Sequence, residues 1–470
     1  MRRTSHYVTI AILMLSVGLS SAQAQMYSVL YNFGTSAGDP LNPGTPGVIA
    51  QGRDGNLYST SSNGGSQGLG SVFRITPTGS LTVLYNFDGP HGQAPLGGLT
   101  LGTDGSFYGT TWYGGATGNG TIFRITPKGQ LTTLYSFTGG NDGFQPYAPP
   151  IEGIDGNFYG TAGFGGAGGF GTAYKVTPSG TFTVLHAFDS TDGSIPIAPL
   201  VQDIDGAFYG TTQLGGSNGN GGVVFRISSQ GAFTDIVAFT VADGANPYSP
   251  VIQATDKNFY GTLSGWGAFG WGSIYKLTPQ GSLTVLYDFN GNSDGGGPDA
   301  GLVQATDGNL YGVASGGNFN PGTIYRITSA GNFSVLYDFD GASGSSPTVT
   351  PLQHTNGLFY GDTTCGGSGV NGGCISATGG GGVFYSLNEG LEPFVSPLPG
   401  GGAVGNVIQF LGQGFMGTTT VSFNGVPAKF RVLTDTFLGA EVPRGAKTGF
   451  VTVTTPSGTL KSNRQFFVHP

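Results

Sequence analysis

The sequence predicts an all-β protein: a seven-bladed β-propeller followed by a small immunoglobulin-like β-sandwich. A tripeptide with a central tyrosine recurs seven times at intervals of 49 to 51 residues. The chain contains 90 glycines together with 33 Phe, 21 Tyr and 3 Trp, so it is rich in turn residues and in large apolar rings. Only 9% of its residues are charged. That composition excludes long amphipathic helices and argues against disorder.

Residues 1–24 are predicted to be a signal peptide. Arg2 and Arg3 precede an apolar run from Val8 to Leu19, and Ala22-Gln23-Ala24 fits the small-x-small cleavage pattern. The mature chain would begin at Gln25 and would be secreted, at the cell surface or periplasmic. The apolar run is shorter than the ~20 residues of a membrane helix, so we expect no membrane span in the mature chain. An uncleaved anchor is the alternative.

The net negative charge of the mature chain limits the classes of partner that it can bind. Fifteen Lys and Arg remain after the two of the signal are removed, against 25 Asp and Glu. Nucleic acids and anionic membranes need basic patches, so neither is an expected partner. We expect a monomer that binds an extracellular carbohydrate or protein.

The seven repeats each predict four short strands. In the second unit, strands at 98–102, 106–111, 121–126 and 130–137 are separated by Asp-Gly, Gly-Gly and Pro-x-Gly turns. Each propeller blade is such a unit, which buries its faces only against its neighbours. The central tripeptides are Leu57-Tyr58-Ser59, Phe107-Tyr108-Gly109, Phe158-Tyr159-Gly160, Phe208-Tyr209-Gly210, Phe259-Tyr260-Gly261, Leu310-Tyr311-Gly312 and Phe359-Tyr360-Gly361.

The two ends of the array predict how the ring closes. Tyr27 to Phe33 is a fourth-strand sequence that precedes the first complete unit, whereas Pro393 interrupts the fourth-strand position of the seventh. Proline cannot donate to a strand ladder. We therefore expect Tyr27 to Phe33 to supply the outer strand of the seventh unit.

The repeats resemble the Gloeo/Verruco repeat (GloVer) family of exported bacterial proteins. The family pattern is approximated by "GLVQATDGNLYG…GGTIYRIT…LYDF" at 301–339 of this chain. The resemblance covers roughly residues 27–395 and implies a propeller-like fold, without a defined activity. The propeller is thus expected over 25–395. Segments such as Gly412-Gln413-Gly414-Phe415 and Val421-Ser422-Phe423-Asn424-Gly425 make residues 396–470 resemble an IPT/TIG domain, an immunoglobulin-like sandwich. Short alternating strands between Gly and Pro turns support a sandwich independently. Such a domain is a spacer or an interaction module.

Two cysteines, Cys365 and Cys374, lie in one glycine-rich loop. An even number in an exported chain favours a disulfide bond between them. A metal site is the alternative, and it is disfavoured because no pair of histidines stands nearby.

A charged pair recurs in six units, and we interpret it as a structural ion pair. The acid follows the first strand and the base lies in the third, so both fall towards the same end of a blade. In the seventh unit we read these positions as Asn356 and Tyr385, so that acid and base are lost together. An anion site built from the six bases is the alternative. The expected pairs are Asp54–Arg74, Asp104–Arg124, Asp155–Lys175, Asp205–Arg226, Asp256–Lys276 and Asp307–Arg326. We also expect the recurring tyrosine to be buried, with its hydroxyl on a backbone partner.

The longer loops predict where a ligand would bind. The loops between second and third strands share one face with the loops between blades, and the latter are rich in Asp and Asn. Aromatic rings next to such groups suit sugars or protein partners; alternatively, the rings fill gaps between glycine-rich loops. The candidates are Trp112, Tyr113, Phe164, Phe170, Trp266, Phe269, Trp271 and Phe319, with Asp142, Asp192, Asp243, Asn292 and Asp294 in the inter-blade loops. Asn290-x-Asn292-x-Asp294-Gly295 resembles a calcium loop but lacks the final glutamate, so we expect no metal and no cofactor.

The residues favour a binding protein over an enzyme. The mature chain has four histidines, His91, His186, His354 and His469, and no nucleophile elbow, zinc motif or phosphate loop. We predict an exported, non-catalytic binding or adhesion propeller with no catalytic residues. The alternative is a polysaccharide-active propeller enzyme, a lyase or hydrolase, with a site at the central channel. A cluster of His, Tyr and acidic side chains around the channel mouth would favour the enzyme.

Overall fold

The computed structural model describes residues 26–44, 47–203, 205–317, 321–369 and 380–469. All regular structure in these ranges is β-strand, which confirms the predicted all-β class. The described ranges contain no helix that is long and apolar enough to cross a membrane. The predicted signal peptide, residues 1–24, lies outside the described residues.

The repeats form seven antiparallel sheets, numbered here in chain order, of which six have four strands and sheet 1 has five. The first strand of the chain, β1 (Met26–Asn32), belongs to sheet 7. Sheet 1 contains β2 (Pro40–Pro43), β3 (Ala50–Gln51), β4 (Leu57–Gly64), β5 (Ser71–Ile75) and β6 (Leu81–Asn86). Sheet 2 contains β7 (Thr100–Leu101), β8 (Phe107–Thr111), β9 (Thr121–Ile125) and β10 (Leu131–Ser136), and sheet 3 contains β11 (Ile151–Glu152), β12 (Phe158–Ala162), β13 (Thr172–Val176) and β14 (Phe182–Ala187). The others are sheet 4, with β15 (Val201–Gln202), β16 (Phe208–Thr212), β17 (Val223–Ile227) and β18 (Phe233–Ala238); sheet 5, with β19 (Ile252–Gln253), β20 (Phe259–Leu263), β21 (Ser273–Leu277) and β22 (Leu283–Asp288); sheet 6, with β23 (Val303–Gln304), β24 (Leu310–Ala314), β25 (Thr323–Ile327) and β26 (Phe333–Asp338); and sheet 7, with β27 (Leu352–Gln353), β28 (Phe359–Thr363) and β29 (Val383–Asn388).

The N-terminal strand completes sheet 7, as predicted. β1 pairs antiparallel with β29, from Met26 opposite Asn388 to Asn32 opposite Val383. Pro393 lies outside any strand. Because the strand that precedes sheet 1 is the outer strand of sheet 7, the two ends of the repeat array are joined by a ladder of backbone hydrogen bonds.

Local packing explains the recurring glycine of the second strand. In sheet 3, a Cβ on Gly160 would stand 2.5 Å from the hydroxyl oxygen of Tyr174. In sheet 2, a Cβ on Gly109 would likewise stand 2.5 Å from Cζ of Phe123. The third-strand ring lies on the bare glycine, so a larger residue there would displace it.

Each repeat sheet has two different ends. On one, the loop between second and third strands pairs with the loop that enters the same sheet, as in the backbone bridges between Gln93 and Tyr113 and between Phe144 and Phe164. We call this the loop face. The opposite end, the turn face, carries the tight turns between first and second and between third and fourth strands.

The chain after sheet 7 forms two four-stranded sheets and a short parallel pair of strands. Phe410, Phe423 and Phe466 are buried between the sheets, with ring centroids 5.8 and 5.1 Å apart. The strands are β30 (Ser396–Leu398), β31 (Gly401–Ala403), β32 (Val407–Leu411), β33 (Thr420–Phe423), β34 (Val426–Pro427), β35 (Phe430–Thr434), β36 (Phe437–Glu441), β37 (Val451–Thr455), β38 (Gly458–Lys461) and β39 (Phe467–His469).

This C-terminal region contacts the turn face of sheets 7, 1 and 2. Arg53 donates to Gln409 Oε1 at 2.7 Å, and Thr436 donates to the Arg53 carbonyl at 2.7 Å. Gln413 donates to Thr355 of sheet 7 at 3.0 Å. The loop face is left free by these contacts.

Candidate functional site

The predicted aromatic residues divide into exposed and packed rings. Phe269 is 62% exposed, Trp266 51%, Phe170 41% and Tyr113 38%. Trp112 and Phe164 are half-buried, and Phe319 lies outside the described residues. Of the seven candidates that the structure describes, Trp266 and Phe269 therefore present the largest free ring surface.

Trp271 is a packing residue, although the sequence named it among the candidate rings for ligand binding. Its indole lies on Gly291 and Gly296, where an added Cβ would clash with ring atoms. It also packs against the buried core between sheets 5 and 6. The sequence did not reveal this because the space comes from glycines in the next loop.

The aspartates of the inter-sheet loops stabilise those loops. The Asp142 carboxylate accepts from the Tyr135 hydroxyl at 2.9 Å and from the amide and hydroxyl of Thr138. Asp192 takes the same role with His186, at 2.7 Å. Asp294, in the loop that resembles a calcium site, is 5% exposed and accepts from Tyr287 and from the Asn290 amide. These contacts account for the recurring acids without a ligand.

The predicted ion pairs form in part. Arg226 lies 2.6 Å from Asp205, Lys276 3.4 Å from Asp256 and Arg124 3.7 Å from Asp104. Arg326 lies instead 3.9 Å from Glu389. Within the described ranges, Asp54–Arg74 and Asp155–Lys175 are not within ion-pair distance. In sheet 7, the residue that faces Tyr360 is Ser386, where sheet 6 places Arg326 opposite Tyr311. The reading of Tyr385 at the basic position was therefore wrong by one residue.

In five repeats the second-strand tyrosine bonds to a side chain, not to the backbone as predicted, whereas Tyr360 of sheet 7 does donate to the Pro77 carbonyl at 3.4 Å. In those five repeats the buried hydroxyl donates to the aspartate four residues earlier, across the turn that joins first and second strands. The distances from the tyrosine oxygen are 2.9 Å for Tyr58–Asp54, 3.2 Å for Tyr108–Asp104, 2.7 Å for Tyr159–Asp155, 2.8 Å for Tyr260–Asp256 and 2.9 Å for Tyr311–Asp307. The main partner of the recurring aspartate is thus the tyrosine of its own sheet. Cys374 lies outside the described residues, so the Cys365–Cys374 bridge stays a prediction.

A polar cluster that the sequence did not predict lies on the loop face. Each inter-sheet loop has a proline that leads into the next sheet, and the residue after it is Tyr147 before sheet 3, Tyr248 before sheet 5 and Asp299 before sheet 6. The residue that follows a second strand lies beside it: Trp112, Gln213, Ser264 and Ser315. We call these seven residues the tyrosine–aspartate cluster. All seven are partly exposed.

Asp299 is the acid of this cluster. Surrounding protein raises the pKa of its carboxyl to about 6, and hydrogen bonds with Ser315 and Ser264 oppose that rise. The Ser315 hydroxyl also donates to the Gly297 carbonyl at 2.7 Å, and the Ser264 hydroxyl donates to the Asn246 carbonyl at 2.9 Å. A hydroxyl has one proton, so the two serines stabilise the carboxylate only weakly. Asp299 can therefore gain and lose a proton near neutral pH.

Tyr248 is oriented as a hydrogen-bond donor. The Gln213 amide donates to its hydroxyl oxygen at 2.6 Å, which leaves the tyrosine proton free to point elsewhere. Burial raises the pKa of Tyr248, and the nearby Asp299 carboxylate adds to the rise. The phenol therefore keeps its proton at neutral pH.

An aromatic wall stands beside these two groups. The Trp112 ring lies 5.3 Å from Tyr147 and 4.6 Å from Tyr113. Burial raises the pKa of Tyr147, as do its interactions with Tyr248 and Tyr113. The aromatic rings thus lie within electrostatic range of Tyr248, the hydrogen-bond donor, which in turn interacts with Asp299.

The charge of the loop face is uniform. The basic residues before the C-terminal region lie in third strands or on turns of the opposite end: Arg53, Arg74, Arg124, Lys128, Lys175, Arg226, Lys257, Lys276 and Arg326. Its described loops carry aspartates, among them Asp88, Asp142 and Asp192. An anionic substrate would thus meet like charge at the cluster.

Comparisons with known proteins add a family and a set of similar folds. A family model described as the Gloeobacter/Verrucomicrobia repeat matches residues 19–221 and 199–424. A comparison with curated proteins gives no significant match.

Three solved structures illustrate the similar folds. A proposed 6-phosphogluconolactonase from Bacteroides uniformis has a TM-score of 0.43 and 17% identity, over 63% of this chain and 85% of that one. A gluconolactonase from Xanthomonas campestris has 0.41 and 11%, over 77% and 99%. A luciferin-regenerating enzyme has 0.40 and 12%, over 79% and 97%. The printed descriptions of these structures are of enzymes, against the predicted non-catalytic adhesion protein. The alternative, an enzyme, is therefore taken up below as a proposal.

Proposed function

The chain belongs to the Gloeobacter/Verrucomicrobia repeat family, and for it we propose a carbohydrate-active hydrolase whose catalytic centre is the tyrosine–aspartate cluster. The seven repeat sheets would be the blades of a closed β-propeller. Contacts between the last and first sheets support closure: Thr348 donates to the Gly44 carbonyl at 3.1 Å, and Gln51 donates to Thr355 at 2.7 Å. The cluster would then stand where the central channel opens on the loop face.

The proposal also assigns a role to each of the three parts of the chain. Residues 1–24 would direct export, residues 25–395 would form the propeller, and residues 396–470 would be an immunoglobulin-like domain of the IPT/TIG type. The two C-terminal sheets that share one core support the last assignment. Their contacts with Arg53 and Thr355 make this domain a support for the turn face of the propeller.

The observation that carries the enzymatic proposal is the Asp299 carboxyl, whose pKa is raised to about 6, within electrostatic range of the oriented Tyr248 hydroxyl. In the proposed reaction the Asp299 carboxylate removes a proton from water as the water oxygen bonds to the acyl carbon of an ester. The Tyr248 hydroxyl donates to the carbonyl oxygen, where negative charge develops. The bond between the acyl carbon and the sugar oxygen then breaks, and Asp299 returns its proton to that leaving oxygen.

The number of carboxyls favours an ester over a glycosidic bond. Glycosidases commonly use two carboxyls on opposite sides of the bond, whereas the cluster contains Asp299 alone. Asp362 lies in β28 but is fully buried, so it cannot contact a substrate. The aspartate-rich loop face further disfavours lyase chemistry on acidic sugars. An acyl ester of a neutral carbohydrate, held against Trp112 and Tyr147, fits these groups.

The test is ester hydrolysis by the full-length mature protein, with an acetylated neutral polysaccharide and chromogenic acyl esters as substrates. We expect kcat/KM to rise with pH through about 6, because the base form of Asp299 is required. Asp299→Asn should lower kcat by roughly 10²- to 10⁴-fold, and Tyr248→Phe by roughly 10²-fold. Asp88→Asn, at an exposed carboxyl of the same face bonded to His91, is the matched control. Full activity of Asp299→Asn would exclude the proposed mechanism.

A further inference from the structure

Trp266 has a backbone conformation that is unfavourable for a residue with a bulky side chain. Its φ is 58°, in the left-handed region that bulky residues avoid. Five other repeats place a glycine at the same point of the loop, with φ between 74° and 84°: Gly64, Gly114, Gly165, Gly215 and Gly366. A tryptophan here is therefore strained where glycine would be relaxed.

Burial does not compensate for this strain. The Trp266 side chain is 51% exposed, and its neighbour Phe269 is 62% exposed. Strained residues of this kind concentrate at functional sites. Since neither ring contributes much to the core, folding alone does not account for a tryptophan at this position.

The loop that carries both rings adjoins the tyrosine–aspartate cluster. It begins at Ser264, which interacts with Asp299 and stands two residues before Trp266. Its last turn is fixed to the loop that carries Asp299, because the Gly297 amide donates to the Trp271 carbonyl at 2.9 Å. The Ala268 amide donates to Asp288 at 3.1 Å, which holds the segment between the two exposed rings. The rings therefore extend from the cluster along a loop that is anchored at both ends.

We propose that Trp266 and Phe269 form an outer subsite for sugar rings of a neutral polysaccharide whose acyl ester lies at Asp299. This inference rests on the proposed function and specifies its substrate as a polymer. Exposed indole and phenyl faces suit the apolar C–H face of a sugar ring, and the absence of Lys and Arg from the described part of the loop face suits uncharged chains. A small ester would contact Trp112 and Tyr147 alone, whereas a polymer would also contact the outer rings.

Trp266→Gly separates binding from folding. It restores the glycine of the other repeats, so we expect the melting temperature to stay equal to that of the wild type or to rise, because the left-handed strain is relieved. Binding to an array of neutral hexose oligosaccharides of increasing length should become about tenfold weaker for the longer chains. Binding of a single hexose unit should not change. Phe269→Ala should act in the same direction, and Leu433→Ala, at a 49% exposed side chain of the C-terminal region, is the matched control.

The array measures binding without catalysis, so its outcome is independent of the ester assay. If Asp299→Asn stays active while Trp266→Gly loses the longer chains, the proposed mechanism fails and the outer subsite stands. If Trp266→Gly binds every length as the wild type does, the subsite is excluded. A lower melting temperature of Trp266→Gly would also overturn the proposal, because Trp266 would then be a structural residue.

Discussion

Replacing Asp362 by threonine should stabilise the protein. Asp362 in β28 is fully buried, and neither carboxyl oxygen has a hydrogen-bond partner. Sheets 1 to 5 place a threonine at the same position of the second strand. Its hydroxyl donates to a carbonyl of the segment that leads into the next sheet, as for Thr60 with Pro95 at 2.8 Å and Thr211 with Ser249 at 3.0 Å. Asp362→Thr would introduce the residue that sheets 1 to 5 have at this buried position.

The size of the effect follows from two contributions. An unsatisfied buried polar group costs about 1–3 kcal/mol, and a new hydrogen bond contributes about 1 kcal/mol. We therefore expect the free energy of unfolding to increase by roughly 2–4 kcal/mol near neutral pH. Burial raises the pKa of the Asp362 carboxyl well above its usual range, so the folded state favours the neutral acid. The wild type consequently loses stability as pH rises above the unfolded value of about 3.9, and the benefit of threonine should grow with pH.

Denaturant unfolding followed by tryptophan fluorescence, at about pH 4.5 and about pH 7.5, measures both contributions. Asp362→Asn serves as the second variant, because it removes the titration and keeps the shape. A gain from threonine that is the same at both pH values, or a loss of stability, would refute the reasoning. Either result would mean that the carboxyl has a compensating partner, for example the Tyr385 hydroxyl with which it interacts.

Two further predictions concern the junctions of sheets 7 and 1 and of sheet 1 with the C-terminal region. Burial lowers the pKa of His354, whose Nε2 lies 3.0 Å from the Gly55 carbonyl and whose Nδ1 accepts from the Asn356 amide. The stability of the protein should therefore be full above about pH 6.5 and fall below it. The unfolding midpoint of His354→Gln should depend less on pH in that range. Arg53→Ala removes hydrogen bonds to Thr103 and Gln409 and a ring contact with Phe437, so it should destabilise the protein by about 2 kcal/mol in denaturant unfolding. Lys128→Ala, in an exposed turn, should change the same midpoint little, and an equal effect of both variants would contradict a specific role for Arg53.

The sequence predicts the repeat sheets well because their determinants are local and occur seven times. Phe158-Tyr159-Gly160 combines a buried ring, a tyrosine that reaches the preceding turn and a glycine that accepts the third-strand ring. The closing strand β1 was predictable for a different reason: a fourth-strand sequence stood without its sheet, and Pro393 left a vacant edge.

The tyrosine–aspartate cluster could not be predicted in the same way. Tyr147 and Tyr248 are 101 residues apart in sequence and Tyr248 and Asp299 are 51 apart, which is two repeat periods and one, and none belongs to the repeated pattern. They come together because each follows the proline that leads into a sheet. Comparing the units at that single position, where Leu96 and Ile197 also stand, is the signal that could have found them.

Trp266 and Trp271 show why exposure is the least predictable property of such loops. They stand five residues apart, yet Trp271 is covered by glycines from the following loop while Trp266 remains half exposed. Whether a ring packs is decided by the small residues of the neighbouring sheet, which no single repeat contains. The positions that recur hold each sheet together, and those that break the pattern on the loop face, Asp299 and Trp266 among them, are therefore where a function specific to this chain should be tested.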